Sequence, residues 1–500
     1  MTSPPDDRGA RGLASAFGLY VLIAILWYAP ASLSPHDTVP DVGDPLHIAY
    51  ILAWDAHQLP RDPLALYESN SFFPYGRSLA FSEHLLPEAI LVAPINWITG
   101  NAVLAANVAA LLGLALSAFT MCLLVRKWTD SLAAGFLAGI VYAFTAFTRH
   151  EAPRLHLLHA QWWPLALLFL TRFSERGRRR DAWGAVASLA LQGLSCTYYF
   201  VFAVFVVPFW LVGVYVCERR SPGRSEVVHL ALAAGTIALA TGLVLLPFVR
   251  HYRAMGFEKS LTAGIDLLSY LLPDAKNPWL GWITPGAPGA PHFLGFVTMS
   301  LATIGVFAHK SRFRWIAAVT AGIGLALSFG PGVAIGERVL FKGPYGVLHD
   351  SVPLARGMSS PERFSMVGSF GAAVLAGLGA AAVLSRLSSP SLRRAVLVVA
   401  VLAALGEQWI PSSEAFQVPT AVRASPVNRF LASQGDGALV ELPIFPDRLK
   451  RFRSLYLFFS TQHWRPTSIG RTSFYPPAHD RLVWELRDFP DEASIELLSR

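Results

Sequence analysis

The stretch AVLAANVAALLGLALSAFTMCLLV occupies residues 102–125 and contains no charged side chain. Arg126 and Lys127 follow it directly. Because a helix rises 1.5 Å per residue, about 20 consecutive apolar residues cross the hydrocarbon core of a bilayer. The stretch therefore predicts a transmembrane helix that has a basic end.

The same pattern recurs on both sides of this stretch and predicts a polytopic, α-helical membrane protein. Hydrophobic residues make up 53% of the chain and charged residues only 15%, whereas soluble domains carry about a quarter charged residues. About eleven spans are predicted, at residues 13–33, 102–125, 132–148, 157–173, 182–199, 200–217, 227–248, 292–309, 315–333, 366–384 and 395–411. The run at 13–33 is long enough to span and has no cleavage site after it, so it is interpreted as a retained helix.

The positive charge indicates orientation rather than nucleic-acid binding. The net charge is +8, but the basic residues lie in short connections between apolar runs, as in inner loops of membrane proteins. Dividing 182–217 into two helices puts all strongly basic connections on one side, among them 172–180, 310–314 and 386–394. The prediction is a cell (inner or plasma) membrane protein with a cytoplasmic N-terminus and an extracytoplasmic C-terminus.

Two domains follow from this topology. Residues 1–411 form the transmembrane domain with a large first outer loop at 34–101, and residues 412–500 form a small extracytoplasmic α/β domain. In this outer tail, Ser425 and Pro426 begin a helix, 438–444 predicts a buried strand and 447–462 predicts a further helix. One strand lacks sheet partners, which suggests a chain truncated at its C-terminal end.

The first outer loop carries the leading candidates for chemistry. Asp41 and Asp44 follow the first span, and Pro45 opens an apolar-periodic stretch. Asp44 is therefore interpreted as the N-cap of an amphipathic helix at the membrane surface, with a catalytic role as the alternative. Further along, Glu83 and His84 precede an interfacial or re-entrant stretch at 85–99. They suit acid–base or metal chemistry, or simply a solvated helix start.

Basic residues crowd the predicted outer ends of later spans. Arg149, Arg154, Arg356 and Arg363 suit phosphate binding, because a guanidinium offers a planar fork of donors; interfacial anchoring is the alternative. His156 and His159 are three residues apart and therefore share a helix face. Two such histidines could bind a metal, but no partner carboxylate lies at a diagnostic spacing. In the tail, Tyr456, His463, Arg465 and Arg471 are candidates for glycan contact, and a structured loop is the alternative. The three cysteines are interpreted as small core residues.

Several common signatures are absent from the sequence. It has no Gly-rich loop ending in Gly-Lys-Ser/Thr, no His-Glu-x-x-His and no Gly-x-Ser-x-Gly. Transport driven by ATP and the commonest hydrolase chemistries therefore gain no support.

Short motifs across the chain resemble those of bacterial membrane glycosyltransferases of the GT-C type. They are Gly43-Asp44-Pro45, Asn70…Phe73-Pro74-x-Gly76…Ser82-Glu83, the Arg/His-rich turn at 149–159, Arg356…Pro361-x-Arg363-Phe364, and Glu441-Leu-Pro with His463-x-x-Pro in the tail.

The resemblance implies an activity and roles for these residues. Such proteins transfer a sugar from a polyprenyl-phosphate donor to a glycan, lipid or protein acceptor at the extracytoplasmic face. An acidic residue of the first outer loop acts in an inverting reaction, and Asp44 matches that position best, with Asp41 second. Many relatives have an adjacent acidic pair, which Pro45 interrupts here. The second acid is open among Asp266, Asp274 and Glu362, and so is a divalent metal cofactor.

Two other functional classes remain alternatives. One is a transporter or flippase for a lipid-linked saccharide, and the other is a non-catalytic membrane scaffold that binds partners through its tail. A transporter needs polar residues deep within its spans. The predicted span interiors carry almost no charge, which favours chemistry at the outer surface.

Overall fold

The structure is a computed structural model that describes residues 7–254, 261–262, 264–284, 291–336, 338–351, 358–412, 415–419, 425–435, 437–472 and 475–499. The fold is predominantly helical. The α-helices are α1 Asp7–Trp27, α2 Asp44–Gln58, α3 Leu86–Thr99, α4 Ala102–Thr129, α5 Leu132–Ala143, α6 Ala146–His150, α7 Leu155–Leu158, α8 Trp162–Arg176, α9 Arg179–Ser195, α10 Thr197–Cys217, α11 Arg224–Ala254, α12 Phe296–Ala308, α13 Arg314–Ser328, α14 Pro344–Ser351, α15 Ser365–Arg386, α16 Pro390–Gln408, α17 Pro426–Ser433, α18 Arg453–Ser460, α19 Pro477–Glu485 and α20 Glu492–Ser499.

Four short strands form two antiparallel pairs in the described part of the chain. Strands β2 Gly332–Ile335 and β3 Arg338–Lys342 make a hairpin. Strands β1 Thr38–Val39 and β4 Phe416–Gln417 pair the start of the first outer loop with the start of the tail. The second pair holds together two segments that are far apart in the sequence.

Each of the eleven predicted spans overlaps a helix, but the number of spans is not confirmed. Four helices are long and apolar enough to cross a membrane, at Gly9–Trp27, Ala102–Thr129, Arg224–Arg250 and Pro361–Arg386. The two halves of α10, bent by 46°, would make a fifth if they form one span. Other helices, including α5, α12 and α13, are apolar but shorter. The chain is thus an integral membrane protein with at least four helices of spanning length.

Helix α4 lies at the centre of the bundle, packed against α1, α5 and α8. Asn101 caps its first turn by accepting a 3.0 Å hydrogen bond from the Leu104 amide. A close approach by α5 requires Gly139, since a Cβ there would lie 2.4 Å from the Ala118 carbonyl oxygen. The quoted apolar stretch therefore forms an inner helix that most of the bundle contacts.

The predicted division of residues 182–217 is confirmed. Helix α9 ends at Ser195 and α10 begins at Thr197, with Cys196 between them in an extended conformation. Cys196 is 1% exposed. The break places the start of α10 against the first outer loop, where the Glu83 carboxylate accepts a 3.1 Å hydrogen bond from the Thr197 amide.

The prediction of an amphipathic surface helix after Asp44 is wrong in one respect. Helix α2 begins at Asp44 as expected, but residues 45–56 are all buried. Its sides pack against α3, α4 and the tail helix α18. The apolar periodicity did indicate a helix, whereas burial of its polar side results from a tail segment four hundred residues away.

The tail docks on the first outer loop through backbone hydrogen bonds. The Thr467 amide donates to the Asn70 carbonyl over 2.7 Å, and the Phe73 amide donates to the Thr467 carbonyl over 2.9 Å. The predicted strand at 438–444 contributes one isolated parallel bridge, between Leu439 and Thr467. The predicted helix at 447–462 is a 3-10 turn followed by α18. An α/β tail is therefore not confirmed, and its described residues are mostly helical.

Candidate functional site

Asp44 is the centre of an ion-pair network that joins three parts of the chain. Its carboxylate lies 2.7 Å from Arg471 Nη2 of the tail and 3.3 Å from Arg154 Nε of the segment between α6 and α7. The side chain makes no capping hydrogen bond, and Gly43 occupies the N-cap position. The interpretation of Asp44 as a side-chain cap is therefore wrong, because the carboxylate faces the two arginines.

The electrostatics of this network keep Asp44 charged. Burial raises the pKa of the carboxyl, but Arg471 and Arg154 outweigh it and hold the pKa below its ordinary value. One turn further along α2, burial lowers the pKa of His47 to about 3, so that imidazole is neutral. The side chain of Asp44 is 33% exposed to solvent. A charged carboxylate that solvent can reach is able to accept a proton.

Asp41 occupies a neighbouring position with a different partner. Its carboxylate lies 3.8 Å from Arg451 Nη1 of the tail and accepts a 2.7 Å hydrogen bond from the Val42 amide. A Cβ at Gly43 would lie 3.1 Å from this carboxylate and 3.2 Å from Arg451. The Gly43 backbone therefore lets both acids meet tail arginines at the beginning of α2.

The predicted arginines divide into two groups. Arg154 belongs to the site, since it also pairs with Glu151 over 2.6 Å. Arg149 does not join it in the contacts of the described residues: its guanidinium donates to the carbonyls of Trp27 and Ile410 and stacks 4.3 Å over the Trp409 ring. Arg149 thus joins the ends of α1 and α16 to α6.

Arg363 lies close to the start of α10. It belongs to a 3-10 turn at Pro361–Phe364, and its guanidinium carbon lies 4.3 Å from the centroid of the Tyr198 ring. Its charge interacts with Glu151 and Glu83. Arg356 lies outside the described residues. One of the two arginines predicted above the tenth span therefore lies near enough to Glu83 and Glu151 for their charges to interact.

Glu83 and His84 are adjacent in sequence but point to different partners. His84 Nε2 lies 2.7 Å from the Asp55 carboxylate, and both side chains are buried. Glu83 Oε2 lies 3.2 Å from His156 Nε2 instead. Glu83, His156 and Cys196 bring one carboxylate oxygen, one ring nitrogen and one sulfur within 4.8 Å of one another. These three residues are called the Glu–His–Cys cluster below.

The expectation that His156 and His159 share a helix face is wrong. Helix α7 ends at Leu158, so the two rings diverge. His159 Nε2 lies 3.0 Å from the Ala109 carbonyl, and its Nδ1 lies 3.3 Å from Glu88. Only His156 faces Glu83. Because α7 ends between them, the two histidine side chains do not lie on one helix face.

His463 lies at the other end of α2 from Asp44. Its Nδ1 accepts a 3.1 Å hydrogen bond from the Arg465 amide, and the next residue, Trp464, packs on Trp54 and His57. At 1.5 Å per residue, Trp54 is about 15 Å along the helix axis from Asp44. The structure therefore does not bring His463 to the ion-pair network.

A cleft opens beside Glu83 between the first outer loop, the α9–α10 break and helix α11. Residues of the segments 82–86, 193–197 and 244–248 line it. The Tyr67 hydroxyl, which also lines it, donates a 2.8 Å hydrogen bond to the Val244 carbonyl and joins the loop to α11. Only 11% of the residues in the apolar stretch of α11 are buried. Apolar side chains of α11 and the polar side chains at Glu83 therefore line the same cleft.

The partners of Asp44 have no signal in the local sequence. Arg471 was a candidate for glycan contact, and nothing local linked it to an acid 427 residues away. Cys196 was interpreted as a core residue, which its burial matches, but its position beside Glu83 and His156 had no signal in the spacing. Glu151 adjoins His150 in the sequence, and its salt bridge to Arg154 follows an i,i+3 spacing.

Comparisons with known proteins identify the fold. No family model and no curated protein matches the sequence. Two cryo-EM structures of the mycobacterial arabinofuranosyltransferase AftD do match, both at 16% identity over 95% of this chain. The TM-score is 0.54 for one, with 33% of that chain covered, and 0.57 for a mutant of it, with 34% covered. The chain thus spans about a third of the length of AftD.

The archaeal oligosaccharyltransferase AglB from Archaeoglobus fulgidus, solved with an inhibitory peptide and a dolichol-phosphate, is a more distant match. Its TM-score is 0.44 at 14% identity, with 92% of this chain and 64% of that chain covered. The similarity to AftD, at 16% identity, shows the fold, and this fold agrees with the architecture that the GT-C resemblance predicted.

Proposed function

We propose that the protein is a membrane glycosyltransferase that transfers a sugar from a polyprenyl-phosphate donor to an acceptor at the extracytoplasmic face. One observation carries the proposal: in a GT-C-type fold, a charged carboxylate at the start of α2 lies between two arginines from separate segments. A fold by itself hosts many functions. The residues at the beginning of α2 provide the chemical argument.

The proposed reaction is a single displacement with inversion. Asp44 accepts the proton of the acceptor hydroxyl while the hydroxyl oxygen forms a bond to the anomeric carbon. The bond between that carbon and the phosphate oxygen breaks, and the lipid phosphate leaves with the electron pair. Because Asp44 is already ionised, no prior deprotonation of the base is needed.

The arginines have two partners in this proposal. Before the donor binds, Arg471 and Arg154 neutralise Asp44. A donor phosphate would share their N–H donors, and the same guanidinium groups would stabilise the charge that develops on the leaving group. Arg363, which lies near Glu83 and Glu151, adds a further positive charge to this side of the site.

The cleft supports a lipid-linked donor. It is lined by the half-buried Val244, Leu245 and Phe248 of α11 together with Glu83 and the start of α10. A polyprenyl chain needs an apolar path, and its phosphate must stay at the lipid–water boundary, where charged side chains are retained. The cleft and the ion-pair network together offer both environments on one side of the bundle.

The test compares envelope glycans and glycolipids by mass spectrometry in a deletion strain that carries wild type, Asp44→Asn or Asp62→Asn at equal membrane abundance. Asp62 is the matched control: it lies in the same loop and caps a 3-10 turn through Leu64, which asparagine also does.

Wild type and Asp62→Asn should restore a hexose- or pentose-sized mass that is lost on deletion, and Asp44→Asn should not. Full restoration by Asp44→Asn would show that this carboxylate is not the base. The transporter or scaffold interpretation would then replace glycosyl transfer.

A further inference from the structure

The Glu–His–Cys cluster lies beside the Asp44 network and plays no part in the proposed proton transfer. It combines side chains from three segments: Glu83 from the first outer loop, His156 from α7 and Cys196 from the break between α9 and α10. Cys196 is 1% exposed, and the side chains of Glu83 and His156 are 19% and 15% exposed. Three ligand types from three separate elements therefore converge in a largely water-excluded place.

One oxygen of Glu83 points into this cluster without a hydrogen bond. Oε1 accepts a hydrogen bond from the Thr197 amide, and this bond orients the carboxylate towards the start of α10. Oε2 is buried and has no hydrogen-bond partner among the described residues, although His156 Nε2 lies 3.2 Å away. A buried carboxylate oxygen in this state costs free energy unless a cation or donor meets it.

The spacing suits a tetrahedral ion. Bonds of about 2.0–2.1 Å to nitrogen or oxygen and about 2.3 Å to sulfur place neighbouring ligand atoms roughly 3.4–3.6 Å apart. The Glu83–His156 separation is 3.2 Å, and all three ligand atoms lie within 4.8 Å of one another. A displacement of the Cys196 sulfur or of the Glu83 carboxylate by about 1 Å would thus bring the three ligand atoms to this spacing.

The charges around the cluster balance one another. Three carboxylates interact electrostatically with His156, namely Glu83, Asp44 and Glu151, against the single guanidinium of Arg363. Arg154 lies between Asp44 and Glu151 and neutralises part of this charge. Arg471 pairs with Asp44 as well, so three guanidinium groups balance the three carboxylates, and a cation would be held by its direct contact with the Glu83 carboxylate.

We infer that Glu83, His156 and Cys196 bind one Zn²⁺ ion. A thiolate, an imidazole and a carboxylate together are typical of zinc, whereas magnesium and calcium prefer oxygen ligands alone. Zinc deprotonates a coordinating thiol, so a buried Cys196 is compatible with the site. The ion would hold the first outer loop against the α9–α10 break.

The fourth coordination position would be open. No fourth Cys, His, Asp or Glu joins the cluster within the described ranges. Glu83 and the residues on either side of Cys196 line the cleft. Three protein ligands with an open position are the pattern of zinc sites that bind a water or a ligand oxygen rather than of closed structural sites.

The test is metal content, which does not depend on any glycosyl-transfer assay. The full chain is purified in detergent with a tag that contains no histidine, dialysed against chelator and titrated with Zn²⁺. Bound metal is measured by mass spectrometry. The variants are Cys196→Ser and His156→Gln, and Cys217→Ser is the matched control because Cys217 lies at the other end of α10.

About one zinc per chain is expected for wild type and Cys217→Ser, and at least a tenfold weaker affinity for Cys196→Ser and His156→Gln. Cadmium titration is a second measurement on wild type: thiolate coordination gives an ultraviolet charge-transfer band, which should be lost in Cys196→Ser. Size-exclusion profiles identify variants that fail to fold. Absence of both zinc uptake and the cadmium band in wild type would overturn the inference, and so would wild-type zinc affinity in a folded Cys196→Ser.

Discussion

The contact between Asp44 and Arg471 is predicted to hold the tail on the first outer loop. The test is a double-mutant cycle with Asp44→Asn, Arg471→Gln and the double variant. Asp44→Asn keeps the side-chain volume, Arg471→Gln shortens the side chain but keeps a polar end, and both substitutions remove the charge. The cycle isolates the pair because each single variant removes the same interaction.

The magnitude follows from distance and exposure. The pair is 2.7 Å long with side chains 15% and 33% exposed. Hydrogen bonds to charged groups contribute about 1.5–3 kcal/mol when buried, whereas exposed ion pairs contribute about 0–1 kcal/mol. This partly exposed pair should therefore give a coupling energy of about 1–2 kcal/mol, or roughly a 5- to 30-fold change in the equilibrium for tail opening.

Amide hydrogen exchange measures that opening. Peptides that contain Thr467 report on it, because the Thr467 amide is bonded to the Asn70 carbonyl at the tail–loop contact. Each single variant should raise the exchange rate of these peptides, and the double variant should add little to the larger single effect. The expected coupling is constant between about pH 6 and pH 8, since the ordinary aspartate pKa is about 3.9.

The sign at low pH is also fixed. Arginine lowers the pKa of Asp44 in the folded protein, so the stabilisation is present above the ordinary pKa and is lost as pH falls through the folded one. Arg481→Gln is the control, because it breaks an exposed i,i+4 pair with Glu485 in the same tail and should change exchange by at most about 0.5 kcal/mol. A coupling energy below that value for Asp44 and Arg471 would refute the reasoning.

Two further predictions concern packing and pH. Gly139→Ala should lower the yield of folded protein and its Tm in detergent, because the new Cβ would lie 2.4 Å from a carbonyl oxygen of α4. Gly235→Ala is the control and should leave both unchanged, since nothing lies within 4 Å of its Cβ. Equal Tm values for the two variants would show that α4 and α5 can separate at no cost. Burial raises the pKa of Glu441 to about 7, so the folded tail binds more protons than the unfolded one between the two pKa values, and stability should fall as pH rises from about 4.5 to 7. Glu441→Gln should remove that slope in thermal unfolding, and an unchanged slope would assign it to another group.

Helix positions were predictable because their signals are local. The apolar run at 102–125 and the basic residues after it define α4 within a few residues, and the charge argument for dividing 182–217 located the break near Cys196. The lengths of the helices were less predictable. Several apolar runs form helices that are too short to cross the hydrocarbon core of a bilayer. An irregular turn can interrupt an apolar run, as residues 144–145 do between α5 and α6 within the predicted span 132–148.

The site was predictable in its acids and not in its geometry. Asp44 was a candidate because it follows the first span, and its position in the sequence is enough to show this. Its partner Arg471 comes from a segment whose docking depends on backbone hydrogen bonds to Asn70 and Phe73, and no periodicity encodes those. The divergence of Glu83 from His84 has the same origin, because their partners Asp55, His156 and Thr197 belong to three different elements.

The 427-residue separation between Asp44 and Arg471 also sets an order of events during synthesis. At about 5–20 residues per second, a ribosome completes Arg471 roughly 20–85 s after Asp44. During that interval the acid has left the ribosome, and its tail partner does not yet exist. The Asp44–Arg471 pair therefore forms only after the tail has been made and has reached the side of the membrane where the first outer loop lies.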